Sequence, residues 1–131
     1  MDISYHYHLE RGYILTKASG STTLKALELH VDRLIQDPLL STPYVEIFDF
    51  TETIDFDFGY KESSQIGKKY LQLKKNLNYR GIIFIAESDY QKAMSNVFKV
   101  KAEDFNITIK IVANFKEAIL ELNRFELDLS W

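Results

Sequence analysis

The chain has 131 residues, of which 46% are hydrophobic and 27% charged, with a formal net charge of −3. This length and composition predict one globular domain, residues 1–131, with a packed core, and exclude a disordered chain. The absence of cysteine excludes disulfides, thiol nucleophiles and thiolate metal sites, and the acidic balance argues against a nucleic-acid-binding protein.

The first third of the chain predicts a β-hairpin followed by a helix. Residues 3–9 alternate apolar and polar side chains, which is typical of a strand, and a short turn leads to a second strand over 13–19. Cap-type residues at 20–23 then precede an apolar stripe at helical spacing. This helix is predicted to end near Gln36, because Asp37-Pro38 cannot continue it.

Two strand–helix pairs follow. Residues 44–50 are apolar on both faces, which predicts a central strand, and after a loop residues 60–77 have the pattern of a helix. Residues 81–86 predict a second strand that is covered on both faces. Ser88 and Gln91 form a capping box that opens the third helix. The residues expected on the inner sides of the two helices are Ser63, Ile66, Gly67, Tyr70, Leu73, Leu77, Ala93, Met94, Val97 and Phe98.

The last part of the chain predicts an edge strand, a helix and an extended tail. Isoleucines alternate with polar residues over 107–111, which is typical of a half-exposed strand. Asn114 and Glu117 form another capping box and open the last helix. Residues 125–131 alternate with a period of two, which predicts an extended segment. The element order is therefore ββαβαβαβα, an α/β fold with a mixed five-stranded sheet.

The element order and one local motif resemble the STAS domain, in particular the bacterial SpoIIAA-like branch of anti-sigma-factor antagonists. The motif is Asp49-Phe50-Thr51, which is similar to the Asp-Leu-Ser-like turn that ends a strand in the antagonists. That turn leads to an aspartate and a phosphorylated serine, and the matching positions here are Asp57 and Phe58. The resemblance implies helices mainly on one side of the sheet and a role in protein interaction. Phenylalanine has no hydroxyl group, so the phosphoacceptor of that family is missing.

Few residues in the sequence suggest catalysis or metal binding. His6 and His8 share one strand face, but His30, the third histidine, falls within the first helix, so a zinc site is not predicted. Nucleophile elbows and phosphate-binding glycine motifs are absent. We therefore predict a protein without enzyme activity, cofactor or metal, and an enzyme of unknown type remains the third hypothesis for function.

Two groups of charged residues have plain structural interpretations. Asp49, Glu52, Asp55 and Asp57 gather near the end of the third strand, but they lack the glycine and the terminal glutamate of a calcium loop. Asp57 is instead interpreted as the cap of the second helix, where the helix dipole favours an anion. The lysines of that helix are interpreted as a solvated face: Lys68, Lys69, Lys74 and Lys75.

An aromatic run leads from the third strand into the second helix: Phe48, Phe50, Phe56, Phe58 and Tyr60. Ligands of open α/β sheets bind outside the carboxyl ends of the strands, which is where this run leads. Its rings either cap the core or form a contact patch. The candidate contact residues for a partner or ligand are Phe56, Asp57, Phe58 and Tyr60.

The favoured hypothesis is a non-catalytic protein-interaction module, with a homodimer as one possible assembly. An open sheet face carrying Tyr5, Tyr7 or Tyr13 would favour self-association. The alternative is a carrier of a small apolar or lipid-like ligand, which needs an enclosed cavity of about 300 Å³ or more. The first residues lack the pattern of a signal peptide and no apolar stretch is long enough for a membrane span, so a cytoplasmic protein is expected.

Overall fold

The computed structural model describes residues 2–75, 78–103 and 107–129. The strands are β1 (Asp2–His8), β2 (Tyr13–Thr23), β3 (Tyr44–Asp57), β4 (Tyr79–Ile85) and β5 (Ile109–Val112). The helices are α1 (Leu24–Gln36), α2 (Tyr60–Lys74), α3 (Asp89–Glu103) and α4 (Phe115–Leu129), and one turn of 3-10 helix at Leu9–Arg11 joins β1 to β2.

The strands form one mixed sheet in the order β1-β2-β3-β4-β5. β1 runs antiparallel to β2, and the other neighbouring strands are parallel. The predicted order ββαβαβαβα and the five-stranded mixed sheet are therefore confirmed. β4 is an inner strand and β5 lies at an edge, as their apolar patterns indicated.

The helices are divided unequally between the two faces of the sheet. α1, α2 and α3 pack on one face, where side chains such as Phe48 and Phe84 join the larger core. α4 packs on the other face against a smaller core that includes Ile47 and Ile83. Because neighbouring residues of a strand point to opposite faces, a continuous apolar run such as β4 serves both cores. The expectation of helices mainly on one side is confirmed.

The prediction of a loop after residue 50 is wrong, because β3 continues to Asp57 and pairs with β2, which itself continues to Thr23. The pairing contains two β-bulges on β3. Asp49 pairs with Lys17 and Glu52 with Ser19, so β3 has one extra residue between these pairs. The next two pairs of the ladder are Gly20 with Thr53 and Ser21 with Asp55, which leaves Ile54 as a second extra residue. Bulges bend a strand and change the direction of its side chains, and they are common next to functional sites.

Two other predictions need correction. Ala93 of α3 is exposed, and the buried residues of that helix are Gln91, Ser95, Phe98 and Ala102. The prediction of an extended tail is also wrong, since α4 continues to Leu129. Phe125 follows Ala118 and Leu122 on one helical stripe, and burial of that stripe against the sheet favours the helix over the period of two. Leu77, Ser130 and Trp131 lie outside the described residues.

The predicted capping box of α3 forms in full, and that of α4 forms in part. The Ser88 and Gln91 side chains each accept a hydrogen bond from the other residue's backbone N–H, at 3.1 Å in both cases. At α4, the Asn114 side chain accepts from the Glu117 N–H at 2.9 Å. The Glu117 carboxylate accepts from the N–H of Ala113, one residue before the position expected in a capping box.

The tyrosines of the hairpin do not form one open face. The hydroxyl of Tyr5 donates to Asp37 at 2.6 Å, and the hydroxyl of Tyr7 donates to the same carboxylate oxygen. Tyr13 is buried on the α4 side of the sheet, where its ring stacks on His8 with centroids 4.8 Å apart. The hairpin edge is therefore tied to the loop after α1.

A substitution of Gly81 should be far more damaging than one of Gly20, although both have positive φ angles. A Cβ atom at position 81 would lie 2.8 Å from the carbonyl oxygen of Thr108 and 2.7 Å from the ring of Phe125, whereas the space around Gly20 is open. We expect Gly20→Ala to cost about 1 kcal/mol of unfolding free energy and Gly81→Ala about 3 kcal/mol or more. Urea denaturation measures both, and equal losses would contradict the close packing of Gly81 against Thr108 and Phe125.

Candidate functional site

The end of β3 extends beyond its partner strand β4. The pairing between them ends at Asp49 and Ile85, and the start of α3 covers the next part of this edge. The amide of Gln91 donates to the carbonyl of Thr53 at 3.0 Å and to that of Thr51 at 3.3 Å. Side chains of α3 thus take the place of a neighbouring strand.

The aromatic residues predicted as contacts have different positions in the structure. Phe56 is only 6% exposed and belongs to the core. The centroid of its ring lies 5.0 Å from that of Phe50 and 5.6 Å from that of Phe98. Phe58 is half-buried at the rim of the core, 5.9 Å from Phe98. Tyr60 is the first residue of α2, and its side chain lies outside the described part of the chain.

The interpretation of Asp57 as the cap of α2 is wrong. Asp57 is the last residue of β3, and Gly59 is the residue that caps the helix. The carboxylate of Glu62 accepts the N–H of Gly59 at 3.0 Å, so the helix supplies its own anionic cap. Asp49 has a local role, because its carboxylate accepts the backbone N–H of Thr51 at 2.8 Å and thereby stabilises the first bulge.

Sequence reasoning missed the most exposed apolar residue of this region. Ile54 lies in the second bulge of β3 and its side chain is 78% exposed. Tyr90 of α3 lies nearby, since its hydroxyl accepts the N–H of Phe56 at 2.9 Å, and it is 42% exposed. We call the region made by Ile54, Phe58 and Tyr90 with the exposed carboxylates around them the carboxyl-end surface. These carboxylates belong to Glu52, Asp55, Asp57, Glu87 and Asp89.

A buried carboxylate, also missed from the sequence, lies at the other end of β3. Glu46 is fully buried, and its Oε2 accepts from the hydroxyl of Thr16 and contacts Nε2 of His30, both at 2.6 Å. Its Oε1 accepts from the hydroxyls of Tyr79 at 3.0 Å and Tyr70 at 3.2 Å. An acidic residue between Val45 and Ile47, in the apolar part of a central strand, was the sequence signal.

The neighbours of Glu46 keep it ionised. Burial alone would raise its pKa, but the charge and hydrogen bond of His30, with the hydroxyls of Thr16 and Tyr79, lower the pKa below its ordinary value. Burial, followed by the negative charge of Glu46, raises the pKa of Tyr70 and Tyr79, so both phenols stay neutral donors. Because solvent does not reach Glu46, its role here is structural.

The space between α2, α3 and the sheet is small. It is lined mainly by apolar side chains, and its volume is about 30 Å³, close to the size of one water molecule. A drug-sized ligand needs about ten times more. The rings that line it are Phe48, Phe50, Tyr70, Phe84 and Phe98.

The other charged residues have ordinary surroundings. His6 is exposed, and the ring of His8 is stacked on that of Tyr13. In the described parts of the chain, no group of three or more histidine and carboxylate side chains is arranged to hold a metal ion. Lys68 and Lys75 of the lysine-rich helix segment are exposed, and Lys69 pairs with Asp32 at 2.8 Å. None of the described helices is long and apolar enough to cross a membrane.

No protein-family model and no curated protein matches this sequence. The structure resembles that of an uncharacterised DUF3478 protein with a SpoIIAA-like fold from Shewanella loihica PV-4, with a TM-score of 0.59 and 18% identity over 92% of each chain. The chain has a SpoIIAA-like fold. It also resembles the anti-sigma factor antagonist SpoIIAA in its unphosphorylated form, with a TM-score of 0.56 and 11% identity over 94% of this chain and 98% of that one. At these identities the likeness is one of fold.

The buried carboxylate of Glu46 should make the free energy of unfolding fall at acidic pH. The pKa of Glu46 is lower in the folded state, so its contribution is complete above the ordinary glutamate pKa and is lost as the pH falls through the folded value. We expect Glu46→Gln to cost about 3 kcal/mol near neutral pH. The variant should also lose less stability than the parent between about pH 5 and about pH 3.

Denaturant titrations across this pH range test both parts of the prediction. Glu10→Gln, which removes an exposed carboxylate, serves as the control and should keep the parent's pH dependence. If Glu46→Gln loses as much unfolding free energy as the parent over the acid range, Glu46 is not ionised in the folded protein.

Truncation of two neighbouring apolar residues, Phe56 and Ile54, should have very different effects on stability. Phe56→Ala removes a buried ring and should lower the free energy of unfolding by about 3–5 kcal/mol. Ile54→Ala removes an exposed side chain and should change it by no more than about 0.5 kcal/mol. Thermal and urea unfolding measure both variants. A large loss at Ile54 would show that the bulge buries this residue.

Proposed function

We propose that the protein is a non-catalytic interaction module that binds a protein partner through the carboxyl-end surface. The exposure of Ile54 on a β-bulge is the observation that carries this proposal, because an apolar side chain held in water gains free energy when a partner covers it. The rings of Phe58 and Tyr90 both lie against that of Phe56, and we include these residues with Asp57 and Tyr60 in the proposed contact.

The likeness of fold supports a regulatory or binding role. One of the similar structures is an anti-sigma factor antagonist in its unphosphorylated form, a name that describes a protein acting on another protein. Phe58 stands where the sequence resemblance places the phosphorylated serine of such antagonists. Because phenylalanine has no hydroxyl, we propose that binding here is not controlled by phosphorylation at this position.

The observed geometry supports binding of a protein over the two alternatives. The space of about 30 Å³ beneath α2 and α3 and the open space of about 180 Å³ between β5 and α4 are both smaller than the roughly 300 Å³ that the lipid-like ligand of a carrier needs. Glu46 is fully buried and occupied by four hydrogen-bonding neighbours, which does not favour acid–base catalysis. Self-association remains one form of the proposal, in which the partner is a second copy of the chain.

Site-specific photo-crosslinking in cells tests this proposal. A photoreactive phenylalanine analogue replaces Ile54 in one variant and Leu120 in a control variant, since Leu120 is also well exposed but lies on α4, on the opposite face. We expect a discrete product of higher mass from position 54 only. A product of twice the chain mass would identify a second copy as the partner. Identical patterns from both positions, or no product from position 54, would contradict the proposed surface.

A further inference from the structure

We infer that the partner presents a cationic segment with an exposed apolar side chain to the carboxyl-end surface. This inference rests on the proposed function and adds the chemistry of the partner. It follows from two properties of the surface, its exposed apolar centre and the sign of the charges around that centre.

The apolar centre is defined by contacts on both sides of the β3 edge. The extra residue in the bulge at Ile54 leaves its side chain largely in water, while the neighbouring Thr53 and Phe56 are held by Gln91 and Tyr90. The backbone beneath Ile54 is therefore fixed before a partner arrives. A side chain on a pre-ordered backbone costs less conformational entropy on binding than one on a mobile loop, which favours Ile54 as an anchor.

The surrounding charge is strongly negative. The segments 49–62 and 87–92 contain seven acidic and two basic residues, so together they carry more negative charge than the whole chain, whose net charge is −3. The carboxylates of Glu52, Asp55 and Asp57 are exposed on the strand that carries Ile54. Such a surface attracts lysine and arginine side chains and repels nucleic-acid phosphates and anionic lipid headgroups. A protein segment that combines cations with an apolar residue matches both properties.

Three synthetic peptides of equal length test this inference with the full chain. The first alternates lysine and valine, the second lysine and serine, and the third glutamate and valine. We expect the lysine–valine peptide to bind most tightly, less so at high salt. Its amide chemical-shift changes should centre on residues 51–58 and 87–91. Anionic vesicles and duplex DNA serve as the other candidate ligands and should not bind.

Variants separate the apolar from the ionic contribution. Ile54→Ser should weaken the lysine–valine peptide about tenfold, because burial of an isoleucine side chain contributes about one order of magnitude in affinity, and should leave the lysine–serine peptide unchanged. The pair Asp55→Asn with Asp57→Asn should weaken both lysine peptides. The control pair Glu10→Gln with Glu103→Gln removes the same charge from exposed positions elsewhere and should have little effect.

Several results would overturn the inference. These are equal binding of the two lysine peptides, shifts spread over the whole surface, equal effects of the two charge-removing pairs, or tighter binding of the glutamate peptide, the vesicles or DNA. If crosslinking at position 54 captures a partner while the lysine–valine peptide does not bind, the proposed function stands and only the chemistry assigned to the partner is wrong. If the peptide binds as expected without a crosslinked product in cells, the proposed function fails and the surface chemistry stands.

Discussion

The ionised carboxylate of Glu46 is the constraint on which the packing of this domain depends. A charge without partners inside a protein is very unfavourable, so the loss of a neighbour of Glu46 should destabilise the fold. Thr16, His30, Tyr70 and Tyr79 come from β2, α1, α2 and β4, respectively. Apolar packing alone tolerates small shifts between elements, whereas this set of hydrogen bonds specifies one arrangement of two helices on three strands.

The same strand connects this interior to the surface. β3 holds Glu46 near its start and Ile54 near its end, and between them the strand passes through the aromatic core around Phe48 and Phe50. Its second half pairs with β2 alone, and Asp49 and Gln91 satisfy backbone groups that a further strand would otherwise bind. A strand end that is paired with β2 and extends beyond β4 is a suitable support for a binding surface.

The order of the elements could be predicted because each has its own apolar period, which depends only on neighbouring residues. The second half of β3 could not, since Thr51 to Asp57 is largely polar and becomes a strand through pairing with residues far away in sequence. The end of α4 fits both a strand and a helix pattern, and only contact with the sheet decides between them. Phe56 and Phe58 look equivalent in the sequence, but only Phe56 is fully enclosed. The partners of Glu46 lie on four separate elements, so no local pattern indicated them.

The placement of α4 has a consequence for how the chain is made. Helices α1, α2 and α3 precede β5 in the sequence and pack on one face, so that face acquires its cover early during synthesis on a ribosome. The opposite face, with Val45, Ile47, Ile83 and Ile85, receives its only helix from the last described segment. Until that segment emerges, this sheet face has no cover from α4, and exposed apolar surface of this kind makes a folding chain prone to aggregation.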